Sequence, residues 1–349
     1  MSAKSNEEDA AEPAHPRATA ELFGHGGAEA AFLAAYRGAR VPHAFLIVGP
    51  KGIGKATLAY RIARFVLAHP DPAAISVQKA KSLAVDGNDQ VARRIAAQGQ
   101  GDLLILERTP NEKGVLRQQI AVDDVRRTVS FFGSTAGEGG WRIAIVDAVD
   151  ELNRSSANAL LKVLEEPPER ALLLLVSHSA ARVPPTLRSR CRVITLRPLA
   201  EPDVAAAVAA ATGTAASDPQ VRAAAAAAEG SVARALALLD EDALALRQQA
   251  LDLLDGLPTL DANRMHALGD ALAGTDPQPL ASFIDTVNAW LSGRLDREGR
   301  DRAEIGRLAR LAEVWERINA AARDAAEYNL ERKPLVFSVF GLLAEATRH

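Results

Sequence analysis

Cysteine is almost absent from this sequence: Cys191 is the one thiol in 349 residues. A single cysteine excludes an intrachain disulfide and any cysteine-rich zinc site, and it suits a small buried apolar role. A reducing cytoplasm fits that usage. An excess of one charge is lacking too, since 41 Lys plus Arg stand against 44 Asp plus Glu, a net charge of −3. That balance supplies none of the long-range attraction that an autonomous nucleic-acid binder carries, so any contact with DNA is expected to depend on partners. No apolar run reaches the roughly 20 residues of a membrane span, and no membrane contact is expected. The opening MSAKSNEEDAAEPAHPRA is polar and charged, without an apolar signal core, and residues 1–19 read as a disordered tail.

What is present is a chain with 48% hydrophobic residues, enough for a sizeable core and for two or three domains. Between residues 20 and 199, short apolar runs alternate with longer amphipathic stretches: AFLIV (44–48), LLILE (103–107), RIAIV (142–146), LLLLV (172–176) and RVITL (192–196). Continuous apolar runs of this length fit strands buried on both faces, and their alternation with helical stretches implies a five-stranded parallel sheet covered by helices. After Pro198 the strand signal stops. The chain becomes rich in Ala and Leu, broken at TGTAASDP, EGS, DGLPTLDA and GTDPQP. A small helical lid is expected at 200–243 and a separate all-helical domain at 244–349.

Gly49-Pro50-Lys51-Gly52-Ile53-Gly54-Lys55 follows the apolar run AFLIV and precedes the helical TLAYRIARFVLA, the order that a phosphate-binding loop requires. Its glycines let the backbone wrap a phosphate, the N–H groups and helix N-terminus attract the anion, and Lys55 would reach the outer phosphates. The α/β domain is therefore expected to be a P-loop NTPase core. Gly49, Gly52, Gly54, Lys55, Thr57 and Asp147 are the candidate nucleotide-site residues. The loop departs from the active pattern directly after the lysine, where Ala56 replaces the hydroxyl that ligates magnesium. Thr57 is one step further along a helix, turned by roughly 100 degrees, and its hydroxyl is expected to point away from the metal position unless the helix start is displaced.

RIAIVD places Asp147 at the end of a buried strand, where such folds put a metal-directed carboxylate, although an aspartate there also serves as a helix cap. The residue after it, Ala148, cannot accept a proton as a general base would. Glu151 is expected as a solvated carboxylate on a first helical turn. Two losses in one site point to a loop that does not turn over ATP. Possession of the loop leaves open whether ATP or ADP still binds.

ALLKVLEEPPE (159–169), LLLLVSH and TLRSRCRVI, taken in order, resemble the clamp-loader branch of AAA+ proteins. PHAFLIVGPKGIGKATLAY, the two missing groups and EYNLERKPL (327–335) look most like the delta-prime subunits of that branch. The resemblance implies an AAA+ core, a helical lid and a C-terminal collar domain. It implies partners as well: ATPase subunits, a delta subunit, the sliding clamp indirectly, and primed DNA within the complex. It makes Arg190 of Ser189-Arg190-Cys191 an arginine finger, reaching in trans into a neighbour's ATP site. A planar, permanently charged guanidinium can stabilise charge on a transferring phosphoryl group. Arg188 and Arg192 are then solvated neighbours. Four-cysteine zinc modules occur in many relatives, but residues 66–102 hold no cysteine, and no zinc or other metal site is expected. Ser177 falls at the first sensor position, with His178 beside it as a structural residue. Gly230-Ser231-Val232-Ala233-Arg234 falls at the second, with its arginine displaced by one position. Trp290, Trp315, Tyr328, Phe337 and Phe340 are aromatic residues of the expected collar, as core or as interface anchors. Two other readings stand beside this one: an active AAA+ motor using Lys55 and Asp147, and a DNA-binding scaffold with Arg126, Arg127 and Arg154 on phosphates.

Overall fold

The computed structural model describes residues 15–109, 117, 119–133, 140–274, 276–298, 305–328 and 330–348. Most of the expected N-terminal tail, Asn329 of the late motif and the side chain of Arg154 lie outside what is described. The chain divides into two compact units, Met1–Ala235 and Leu236–His349.

In the first unit the five apolar runs form the expected strands: β1 (Ala44–Val48), β2 (Leu103–Glu107), β3 (Arg142–Asp147), β4 (Ala171–Ser177) and β5 (Arg192–Thr195). All are paired in parallel, in the order β2-β3-β4-β1-β5. The register puts Val48 beside Ser177 and Asp147 beside Val176, so β1, β3 and β4 end together at one edge. Strands β1 and β4 are buried along their whole length, which is why their sequences read as unbroken apolar runs. Alternate side chains feed two cores. Phe45, Ile47, Ile143, Ile145, Leu172 and Leu174 face one side; Leu46, Val48, Ala144, Val146, Leu173 and Leu175 face the other.

The helices of this unit are α1 (Gly26–Tyr36), α2 (Lys55–Ala68), α3 (Ile75–Lys79), α4 (Gln90–Ala96), α5 (Val122–Gly133), α6 (Arg154–Glu165), α7 (Pro185–Arg188), α8 (Glu201–Thr212), α9 (Pro219–Ala227) and the start of α10 (Val232–Ala237). α6 begins after a 3-10 turn, Val149–Glu151, because Asn153 caps it: its side chain accepts the Ser156 N–H at 2.8 Å. The chain then stops being helical before Pro167-Pro168.

One expectation changes at the start of the chain. Residues 15–19, assigned to the tail, lie along α2. Arg64 donates to the carbonyls of Arg17 and Thr19, and His15 stands edge-on to Tyr60 with ring centroids 5.9 Å apart. The buried arginine needs acceptors, and this segment's backbone supplies them.

The second unit is helical: the end of α10, then α11 (Glu241–Asp255), α12 (Ala262–Ala271), α13 (Pro277–Glu298), α14 (Ile305–Glu327) and α15 (Arg332–Thr347). Asp240 and Asp261 cap α11 and α12. Leu254, Leu268, Val287, Leu291, Leu311, Ile318, Phe340 and Leu343 build its core. Trp290 and Phe340 belong to that core, Trp315 and Phe337 pack against it, and Tyr328 is exposed. The first unit ends at Ala235, short of the expected lid boundary at residue 243. Among the described residues, no helix is long and apolar enough to cross a membrane.

Candidate functional site

The loop between β1 and α2 has the backbone a phosphate cradle needs. Gly52 and Gly54 lie at φ 78° and 99°, in the left-handed region that side chains rarely adopt, and Gly54 directly precedes the helix. Lys55 opens α2 with its side chain buried and its ammonium donating to the Pro50 carbonyl of its own loop. Burial pushes this lysine down to about 8, while Asp147 and Asp150 act in the opposite sense. Ala56 and Thr57 follow on the same first turn, both half-buried. The backbone and Lys55 fit a phosphate. The side chain at position 56 offers magnesium no oxygen.

Asp147 ends β3 as expected. Burial raises its pKa, with Lys55 opposing and with Glu107 and Asp150 adding to the rise. Ala148, expected to stand where a base would, is buried. Glu151 departs from the expectation of a solvated helix-start carboxylate. It sits on the 3-10 turn and pairs with Arg108 at 2.7 Å, and burial raises its pKa against that arginine. Asn153 begins the helix further on, which leaves Glu151 in the turn that returns toward the sheet edge.

Sequence reasoning missed Asp150. Its Oδ1 accepts the His178 backbone N–H at 3.1 Å, while its buried Oδ2 has no hydrogen-bond partner. Two residues beyond Ala148, it restores a carboxylate near Lys55. The signal in the sequence was only an acidic residue in a helix-like stretch, which a solvated helix start explains equally well. His178, beside the expected sensor position, is a half-buried imidazole pushed down to about 4 by burial and next by Lys55. Ser177 is fully buried and closes a local turn with Ser179, accepting its N–H at 3.1 Å and donating to its carbonyl at 3.0 Å.

Polypeptide covers the loop from two directions. The buried His25 donates from Nε2 to the Ile53 carbonyl at 2.7 Å, and Leu22 lies against Gly54. From the 230s, Ser231 Oγ donates to the Lys51 carbonyl at 3.1 Å and the Ala233 N–H to the Gly52 carbonyl at 3.2 Å. Arg234, expected as a displaced sensor arginine, donates to Glu229 at 2.9 Å. The small residues of the motif meet the loop in its place.

Ser189-Arg190-Cys191 follows α7 and is held to it by its two outer members. Ser189 Oγ donates to the Thr186 carbonyl at 3.2 Å, and Cys191 Sγ to the Leu187 carbonyl at 3.2 Å. Burial pushes the Cys191 thiol up to about 12, so it is a neutral packing group. Arg190 between them is exposed. Its Nη1 donates to the Thr186 carbonyl at 2.9 Å and its Nη2 pairs with Glu165 at 2.8 Å. Arg188 donates to the Ala180 carbonyl, and Arg192 is exposed on β5. The scaffold reading named Arg126 and Arg127; each pairs with an aspartate one helical turn back, Asp123 and Asp124.

With this geometry in place, the chain can be compared with known proteins. The family model described as "DNA polymerase III, delta subunit" matches residues 25–200, which span the sheet, the loop and the Ser-Arg-Cys segment. DNA polymerase III subunit delta' of Pseudomonas aeruginosa is 37% identical over 149 residues, 43% of this chain and 41% of that one. The subunit delta' of Escherichia coli is 31% identical over 166 residues, 48% of this chain and 46% of that one. A gamma subunit-related protein of Thermotoga maritima, a solved structure, overlays with a TM-score of 0.41 at 18% identity, covering 87% of this chain and 95% of that one. The chain thus spans less than half the length of the delta' relatives it matches. The chain belongs to the DNA polymerase III delta-subunit family and is similar within it to the delta' subunits.

Proposed function

We propose that this chain is a cytoplasmic clamp-loader subunit of DNA polymerase III that turns over no ATP itself and lends Arg190 to the ATP site of a neighbouring subunit. The observation that carries the reading is the division of labour between two places in one domain. At the loop, Ala56 and Ala148 remove the metal ligand and the base, while Lys55 is buried against its own backbone. Just after α7, a guanidinium is held through an N–H of each terminal nitrogen while its side chain stays exposed. A charge donor presented outward serves a phosphate that another chain holds. In that assembly the second unit would form the collar, with gamma- or tau-type ATPase subunits and a delta subunit as partners. The sliding clamp and primed DNA would be reached through the complex. ATP or ADP would sit in the loop only as a bound ligand, and no zinc is involved.

The experiment is steady-state ATP turnover by the purified chain with magnesium, beside a Lys55→Ala variant. Turnover no higher than in that variant is expected, and a Lys55-dependent rate would defeat the reading. A motor is the one alternative with an observation behind it, because Asp150 Oδ2 has no partner and Lys55 feels its charge. If Asp150 were a base, Asp150→Asn would abolish any such rate.

A further inference from the structure

Arg190 is held from two sides, and the two holds differ in kind. One comes from the short helix just before it: Thr186 O, the carbonyl of the second residue of α7, accepts Nη1–H at 2.9 Å. The other comes from a different element, since Glu165 is the last residue of α6 and its Oε1 meets Nη2 at 2.8 Å. A carboxylate in the last turn of a helix stands against the helix dipole, which favours cations there. Glu165 is therefore not placed by helix stability, and the guanidinium opposite it offsets the mismatch. A guanidinium carries five N–H donors in one plane, so two acceptors on different elements fix that plane and leave donors for a third group.

We infer that Glu165 is a positioning residue for Arg190, holding the guanidinium in a preset plane for a phosphate presented by a neighbouring chain. The inference rests on the arginine-finger reading proposed above. Without Glu165 the side chain keeps only the Thr186 contact and samples further rotamers, so part of the ordering must be supplied when the phosphate arrives. Both partners are substantially exposed, with side-chain exposures of 37% and 50%, which limits the effect. An exposed ion pair of this kind corresponds to a loss of about five-fold at most in the rate it supports.

The test uses the complete loader containing this full-length chain, with every ATP site except the one facing Arg190 silenced by substitution of its phosphate-loop lysine. ATP turnover is measured for the unsubstituted chain, Glu165→Ala, Glu165→Gln, Arg190→Ala and the double variant Glu165→Ala/Arg190→Ala. Arg190→Ala is expected to lower turnover by about a thousand-fold. Glu165→Ala should lower kcat by about three- to five-fold with KM for ATP unchanged. Glu165→Gln keeps an acceptor oxygen and should recover most of that loss. In the Arg190→Ala background the Glu165 substitution should do nothing further, the non-additivity expected of residues that act as one unit. A Glu165→Ala loss that persists undiminished without Arg190, or no loss at all while Arg190→Ala is severe, would overturn the positioning role and leave the finger standing. Unchanged turnover in Arg190→Ala would remove both.

Discussion

Gly52 carries two constraints at one backbone position. Its φ of 78° strains any side chain, and an added Cβ would lie 2.3 Å from Ser231 Oγ and 2.8 Å from Ala233 Cβ. Gly213 has nearly the same φ, 72°, and open space around it. Gly213→Ala should therefore lose only the backbone preference, about 1 kcal/mol, whereas Gly52→Ala should lose about 1–3 kcal/mol more from the clash. Urea midpoints of the two variants at equal m-value give the comparison, and equal losses would mean that the 230s yield easily. Lys55 gives a pH-dependent counterpart. Its folded-state value of about 8 lies below the ordinary 10.5, so between these the unfolded chain binds more protons at this lysine and its contribution to stability rises with pH. Lys55→Met should be more stable than the parent at pH 7, and it should flatten that rise in urea titrations between pH 8 and 10.5. Cys191, raised by burial, acts in the opposite sense above pH 9, so the readout is the difference between the two proteins; a stability difference from Lys55→Met that does not narrow over this window would contradict the burial of the ammonium.

At the scale of elements, the sheet was legible because strands buried on both faces leave no choice of residue. AFLIV and LLLLV occur as β1 and as most of β4, and the loop glycines mark the turn between β1 and α2. Legibility ended where a role depends on contact between distant segments. Arg190 could be singled out from its motif, but Glu165 reads only as one of two glutamates before a proline pair. Ser231 reads only as a member of the second sensor segment and nothing in the sequence singles out His25, yet both bond to the loop backbone. The helix expected directly after Asp147 starts only beyond Asn153, whose side chain accepts the Ser156 N–H as the cap, while Asp150 accepts from the His178 N–H instead. The loop contacts have a consequence of their own. Ser231→Ala removes a bond that joins the 230s to the loop beside the one from the Ala233 N–H. Hydrogen exchange of the Ala233 amide and of the 49–55 segment should then quicken by about ten-fold, while the strand amides of β1 and β4 stay as they were. Exchange unchanged at Ala233 would show that the Ser231 hydroxyl does not hold the segment down.

For the whole molecule, the question is whether the second unit depends on the first for its fold. Its own contacts argue that it does not. Trp290 Nε1 donates to Asp255 at 3.0 Å, tying α13 to α11, and buried Arg247 donates to Thr286 at 3.0 Å between the same two helices. Asn288 and Asn319 exchange amide hydrogen bonds at 3.0 Å between α13 and α14. Phe283 and Phe340, with centroids 6.0 Å apart, join α13 to α15, and Lys333 pairs with Asp270 to join α15 to α12. Every helix from α11 to α15 thus meets another through a specific side-chain contact as well as through the shared core. A fragment of residues 236–349 should therefore be helical by far-ultraviolet circular dichroism and unfold in one cooperative transition. Tryptophan fluorescence, from Trp290 in that core and Trp315 packed against it, should report the same midpoint. Trp290→Phe deletes the indole donor and leaves Asp255 without it, so the fragment's midpoint should fall by an amount equivalent to about 1–2 kcal/mol. A fragment that is helical but melts without cooperativity would mean that these pairings form only with the rest of the chain, and the second unit could not then serve as an independent collar.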